Sequence, residues 1–168
     1  LDNTALCARQ MHEDWTAALG IGEEESLRAA EAGIEAMAAF QEARRREARA
    51  VMDTLEEEGR LGIVLLARPY HNDPGINHDI CDEFQKLGYP VIAQDSLPID
   101  EDLMERLFGE EVAAGDISSP FDINDVWKNS YSENTSRKVW AAKYVARHPN
   151  LVGLELSNFK CGHDAPIY

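Results

Sequence analysis

The chain has 168 residues, of which 44% are hydrophobic and 28% charged, a composition typical of a folded globular domain rather than a disordered segment. Its 31 acidic residues outnumber its 16 basic residues, and the formal net charge is −15. This charge argues against nucleic-acid binding, which depends on Lys and Arg contacts to phosphates, and against adhesion to an anionic membrane surface. No run of about 18 apolar residues is present, so we expect no membrane span.

The N-terminal sequence and the cysteines bear on whether the chain is a fragment and on its redox compartment. The first residues, LDNTALCARQ, contain no initiating Met and no basic segment followed by an apolar one, so we expect a fragment of a longer protein. Three cysteines, Cys7, Cys81 and Cys161, are too few and too scattered for a disulfide framework. This favours a reducing, cytoplasmic setting, and it leaves room for a metal ligand whose partners lie outside the chain.

Residues 1–60 are predicted to be a helical extension. A first helix is expected over about residues 4–18 and a long one over 22–58, where Leu27, Ala30, Ile34 and Met37 recur at spacings of three and four. Ala, Glu and Arg, which are strong helix formers, fill most other positions of the long helix. Gly59 is a plausible end for it.

Residues 61–168 are predicted to be an α/β domain, because short apolar runs alternate there with helical segments. The run GIVLLA is continuously apolar, as in strands that are covered on both faces in parallel sheets. Asp73 followed by Pro74 predicts an N-cap and first helical position. The order is β-α-β-α-α-β, a short parallel sheet of the Rossmann or flavodoxin-like kind, with strands at 62–67, 89–94 and 151–156 and helices at 74–87, 101–111 and 127–147. An interruption of the last helix near Asn129 and Ser130 stays open.

Polar and ring-bearing residues follow the first predicted strand, where open α/β sheets place their ligands. Arg68 could hold an anionic group and His71 could transfer a proton near neutral pH, with Tyr70 beside it, so these three are the catalytic candidates. The alternative is that Tyr70 and His71 only cap the edge of the sheet. Asn77 and His78, in the next helix, are candidates for cofactor binding, although polar side chains are also ordinary in a first helical turn.

Further candidates follow the other two strands. Asp95 and Ser96 could orient a ligand, or could instead initiate the turn into LPIDED. Cys161 and His163 are spaced so that both could reach one metal, but a four-coordinate site needs more ligands than this pair provides. The chain has no phosphate-binding P-loop, no glycine-rich dinucleotide fingerprint, no HExxH and no GxSxG.

Two blocks of sequence resemble the large CoA-substrate-specific enzyme activases, relatives of the 2-hydroxyacyl-CoA dehydratases. The first is ARPYHNDPGINHDICDEFQKLGYPVIAQDSLP, and the second is NLVGLELSNFKCGHDA. The resemblance covers about residues 60–168. Ala67 and Cys81 stand where the family pattern has Gly and Pro, and Lys160 and His163 also depart from it.

The resemblance implies an ATPase module outside this chain that drives electron transfer through [4Fe–4S] clusters to dehydratase-type radical chemistry on acyl-CoA thioesters. Cys161 would be a cluster ligand or a relic of one. A cluster normally takes four thiolates, so none is expected to be complete in this chain. The implied partners are other modules of the parent protein, and an acyl-CoA or a dehydratase. Whether the chain is itself an enzyme stays open.

Two other interpretations remain open from the sequence. The chain could be a non-catalytic interaction domain that joins modules or subunits, with residues 22–58 as the docking surface of a homodimer. It could also be a small enzyme with a flavodoxin-like fold that binds flavin.

Overall fold

The computed structural model of the protein describes residues 3–157. Contacts divide the chain into two compact units, one ending at Arg44 and the other beginning at Arg45. The division falls inside a helix. The elements in chain order are α1 (Thr4–Leu19), α2 (Glu23–Glu58), β1 (Gly62–Leu66), α3 (Pro74–Asn77), α4 (Ile80–Lys86), β2 (Val91–Ala93), α5 (Glu101–Ala114), α6 (Glu133–Arg147) and β3 (Leu151–Glu155), with short 3₁₀ turns at Pro69–Asn72 and Gln94–Ser96.

The first unit contains α1 and the first part of α2. Asn3 caps α1 by accepting a hydrogen bond from the backbone N–H of Leu6. The buried hydroxyl of Ser26 on α2 donates to the carbonyl of Ala8 on α1 at 2.8 Å, which fixes the two helices against each other. Several large apolar side chains of this unit stay exposed: Leu6, Met11, Trp15, Leu19, Met37 and Phe40.

The second unit is built on a three-stranded sheet in the order β2-β1-β3, with every pairing parallel. In the central strand, Val64 lies opposite both Ile92 and Gly153. All five residues of β1 are buried, as expected for a continuously apolar strand with neighbours on both sides. The predicted α/β class with a short parallel sheet is therefore confirmed.

The core of the second unit lies between the sheet and three helices. Met52 and Leu55 of α2, Phe108 of α5 and Tyr144 of α6 are almost fully buried within it. The Tyr144 ring lies 5.5 Å from Trp140 in an edge-on arrangement and 6.4 Å from Phe108. Because this ring contacts residues from several elements, it is the centre of the helical layer.

A polar cluster joins three elements beside this core. Arg106 of α5 binds Glu56 of α2 through two hydrogen bonds, at 2.5 and 2.9 Å. His148, directly after α6, donates from Nε2 to Glu56 at 2.8 Å and stacks on Tyr144. Burial lowers the pKa of His148, while Arg106 lowers the pKa of Glu56, so the pair is a neutral imidazole and a carboxylate near neutral pH.

Several predicted boundaries agree with the structure. Asp73 accepts a hydrogen bond from the N–H of Ile76 and so caps α3, and Gly59 follows the end of α2 with a positive φ of 63°. The predicted strand at 89–94 is shortened to three residues.

Within residues 3–157, no helix has the length and apolarity needed to cross a membrane.

Two helix predictions were wrong in part. The segment 74–87 is not one helix, because His78 and Asp79 have positive φ values of 56° and 58° and separate α3 from α4. Its apolar stripe is not buried as a unit, since Ile76 and Leu87 are exposed. The last helix begins at Glu133 rather than Trp127, with turns before it.

Candidate functional site at the carboxyl edge of the sheet

The three strands end at the same edge of the sheet. Leu66, the last residue of β1, pairs with Glu155, the last residue of β3, and Leu65 pairs with Ala93, the last residue of β2. The segments that follow β1, β2 and β3 therefore leave from one edge. In open α/β sheets this is the edge at which ligands bind.

The segment after β1 turns at once into the 3₁₀ turn Pro69–Asn72. Pro69 fixes φ at its first position, and the N–H of His71 donates to the carbonyl of Arg68 at 2.9 Å. The Tyr70 side chain is 46% exposed, whereas His71 is only 7% exposed. Their ring centroids lie 4.4 Å apart. Tyr70 is thus presented to solvent, and His71 supports it from the protein interior.

Asn77 ties this turn to the helices that follow. Its side chain is 4% exposed, and its Nδ2 donates to the carbonyl of His71 at 2.9 Å and to the Cys81 sulfur at 3.6 Å. Its Oδ1 is buried and has no hydrogen-bond partner in the part of the chain that the structure describes. A buried acceptor left without a donor is costly, and a ligand, an ion or an ordered water that donates to it would remove that cost.

The chain is strained directly after Asn77. His78 and Asp79 both occupy the left-handed region, which costs a residue with a side chain roughly 1–3 kcal/mol. His78 is exposed, and α3 ends before it. Burial raises the pKa of the neighbouring Cys81 thiol, so that sulfur is protonated near neutral pH and serves here as a hydrogen-bond acceptor.

The segment after β2 contacts the end of β1. The buried side chain of Gln94 accepts a hydrogen bond from the N–H of Ala67 at 3.2 Å. Ser96 is buried, and Asp95 is half-buried with its carboxylate 3.6 Å from the Arg137 guanidinium of α6. Asp95 is therefore held by an ion pair across to the start of α6.

Cationic side chains collect at this edge although the chain as a whole is acidic. Arg68 follows β1, Arg137 reaches Asp95, and Lys138 places its ammonium 3.2 Å from Glu155 at the end of β3. Lys138 is almost fully buried, which is unusual for a lysine and requires its carboxylate partner. Arg137 and Lys138 are each paired with a carboxylate at the same edge.

A groove of about 690 Å³ begins at this edge and follows α6. Its lining includes Leu66 and Glu155 from the strand ends and Trp127 from the loop before α6. The remaining lining comes from α6 and includes Lys138 and Ala142. The lining is largely apolar with charged groups at intervals, which suits an apolar chain carrying a charged group. Sequence reasoning missed this groove, and its only signal is the spacing of four between Lys138, Ala142 and Ala146.

The structure brings most of the predicted site residues to this edge. Arg68, Tyr70, His71 and Asn77 share one folded segment, and Asp95 and Ser96 lie on the neighbouring one. The assignment of roles to these residues stays a prediction. Cys161 lies outside the described residues.

The described residues do not fit an iron–sulfur cluster. Cys7 and Cys81 belong to different compact units, and within residues 3–157 no three His, Cys, Asp or Glu side chains are placed to hold a metal together. A cluster takes four thiolates. Any cluster would therefore depend on Cys161 together with thiolates from outside this chain.

Comparison with known proteins gives the family. Residues 1–97, more than half of the chain, match the family described as CoA enzyme activase uncharacterised domain (DUF2229). The match includes the helical residues 1–60, for which the sequence offers no motif, and it ends directly after Ser96. No curated protein and no solved structure matches the chain. The chain therefore belongs to the CoA enzyme activase domain family.

Proposed function

We propose that this chain provides the acyl-CoA contact of an activase that serves 2-hydroxyacyl-CoA dehydratase-type chemistry, and that the contact is made at the carboxyl edge of the sheet. The observation that carries the proposal is the buried Asn77, which holds the turn at residues 68–71 and retains an acceptor without a partner among the described residues. Family membership gives the CoA-linked context.

Three residues of the turn after β1 have a role in this proposal. Arg68 binds an anionic group of the ligand, since its guanidinium stays charged at any physiological pH. Tyr70 contacts the ligand through its exposed ring. His71, whose ring is buried, acts as a positioning residue by supporting Tyr70 and the turn. Because the ring is buried, the His71→Ala variant would lose packing contacts as well as any chemical role of the imidazole. This variant therefore cannot distinguish a structural role from a chemical one.

The remaining parts of the proposed reaction lie outside the described residues. ATP hydrolysis belongs to another module, and a [4Fe–4S] cluster would supply single electrons through Cys161 and further thiolates. We place the protein in the cytoplasm, where free thiols persist. The partners are the other modules of the activase and its dehydratase.

Titration calorimetry with acetyl-CoA tests this proposal. We expect Arg68→Gln to weaken binding about tenfold or more, because the loss of a hydrogen bond to a charged group is worth about 1.5–3 kcal/mol. Arg60→Gln is the matched control, because Arg60 binds Glu58 and the carbonyl of Gly88 at the opposite edge of the sheet. Absence of binding to the unmodified protein, or equal weakening by both changes, would refute the proposal.

A second candidate function is an interaction domain that joins modules of the activase. The exposed side chains of Met37 and Phe40 on α2, next to the half-buried Ile34, favour it. The contact would be with another module or with a second copy along residues 22–58. A dimer that is lost in the double variant Ile34→Glu, Met37→Glu would support this function, and a dimer that survives would assign the contact to another surface.

A further inference from the structure

His148 lies where α6 ends and the chain turns towards β3. Its side chain is completely buried, and its ring lies parallel to the Tyr144 ring of α6, with the two planes 3° apart. Its backbone N–H donates to the carbonyl of Val145 and closes the helix. The two ring nitrogens contact different elements, so the protonation of each nitrogen follows from its partner.

The contacts of the ring require a neutral imidazole with its proton on Nε2. The backbone N–H of Asn150 lies 3.3 Å from Nδ1, and because an N–H can only donate, Nδ1 must accept. Nε2 lies 2.8 Å from a carboxylate oxygen of Glu56, which can only accept, so Nε2 donates. A second proton, on Nδ1, would place two N–H groups against each other.

The charges around the ring also oppose a second proton. Glu56 of α2, the carboxylate in contact with the ring, already accepts two hydrogen bonds from Arg106 of α5. The Arg106 guanidinium itself lies 3.4 Å from Nε2. Tyr144, the other titratable group beside the ring, stays neutral because burial raises its pKa. An imidazolium at His148 would therefore have to share its carboxylate with a guanidinium.

Asn150 ties the start of β3 to two other elements. Its side-chain amide donates to the carbonyl of Leu55 in α2 at 3.3 Å and to that of Arg60, which follows this helix, at 2.8 Å. Its own carbonyl accepts from the N–H of Gly62 at the start of β1 at 2.8 Å. The hydrogen bond to Nδ1 of His148 fixes the backbone of Asn150 where it makes these contacts. Loss of that bond would loosen the start of β3 from α2 and β1.

We propose that His148 is an acid-sensitive switch in this fold. A proton taken up from solvent at Nδ1 breaks the hydrogen bond to Asn150 and releases the junction at which α2, α6 and the first residues of β1 and β3 meet. The proposal is independent of the acyl-CoA site, because this junction lies at the opposite end of β3 from Glu155.

The direction of the pH dependence follows from the burial of the ring. Burial lowers the pKa of His148 below its ordinary value of 6.5, so the unfolded chain takes up this proton more readily than the folded one. The stability that neutral His148 contributes is therefore complete above pH 6.5 and is lost as the pH falls through the pKa of the folded state. Arg106 lowers the pKa of Glu56 below 4.5, so this carboxylate keeps its charge in the range where His148 titrates.

Urea unfolding at pH values from about 8 to about 5 tests the proposal. We expect the equilibrium constant for unfolding to be nearly constant above about pH 7 and to rise about tenfold on acidification, the usual effect of leaving a buried N–H without a partner. His148→Gln, whose amide gains no proton in this range, should remove the pH dependence. His71→Gln is the matched control and should keep it, because His71 is also buried but belongs to the turn after β1.

Imidazole nitrogen NMR of the unmodified protein replaces the variant if His148→Gln does not fold. We expect the proton on Nε2 at about pH 8, and on acidification Nδ1 should gain a proton below pH 6.5 while the Asn150 amide signal shifts in step. A pH dependence that persists in His148→Gln or disappears in His71→Gln would overturn the proposal. A His148 ring that is doubly protonated at neutral pH, or an Asn150 amide that does not follow its titration, would do the same.

Discussion

Tyr144→Ala is expected to lower the free energy of unfolding by about 3–5 kcal/mol, the usual cost of truncating a buried aromatic side chain. The Tyr144 ring is completely buried, and it contacts the rings of Phe108, Trp140 and His148. Its removal would leave a cavity among these rings. Denaturant unfolding, followed by circular dichroism, measures the change.

Tyr144→Phe is the control for this prediction. The hydroxyl makes only a long contact, 3.9 Å to the sulfur of Met52, and burial raises its pKa because the ionised phenolate is disfavoured there. We expect Tyr144→Phe to change stability by less than about 1 kcal/mol. Similar losses for the two variants would show that the hydroxyl, and not the packing of the ring, holds this layer together.

Asn77→Ala is expected to lower the free energy of unfolding by about 1–3 kcal/mol, since it leaves the carbonyl of His71 without its donor inside the protein. It should also weaken acetyl-CoA binding, because the turn that presents Tyr70 loses its support. Thermal unfolding and calorimetry on the same sample measure both effects.

The neighbouring Asn72 supplies the control for Asn77. Its side chain is exposed at the end of the same 3₁₀ turn, so Asn72→Ala should change stability by no more than about 0.5 kcal/mol. If Asn77→Ala also falls within that range, the buried amide does not hold the turn, and the structural basis of the proposed site is wrong.

The strands and long helices could be predicted because each carries a local signal. The run GIVLLA is apolar at every position, and the three strand ends meet at one edge as parallel pairing requires. The Asp73–Pro74 cap was predicted correctly from its chemistry. Such signals depend only on neighbours in sequence. In these elements the tertiary contacts left the locally favoured secondary structure unchanged.

The break at His78 and Asp79 was not predicted, because residues with side chains rarely take positive φ, and the preference of His and Asp for that region is only a weak signal. The groove along α6 depends on how a helix sits against two strand ends, which no local pattern contains. No local pattern shows which residues of the site are buried either. Sequence treats Tyr70 and His71 alike, whereas the fold exposes one and buries the other.

Mapping acetyl-CoA contacts by backbone amide NMR shifts tests the central claim most directly, namely that the carboxyl edge of the sheet is the ligand site. We predict that the perturbed amides lie in residues 67–78 and 94–96 and at the start of α6. Residues 59–62 and 88–90, at the opposite edge, should be unchanged. Perturbations confined to that opposite edge or to α2, or no perturbation at saturating ligand, would contradict the account.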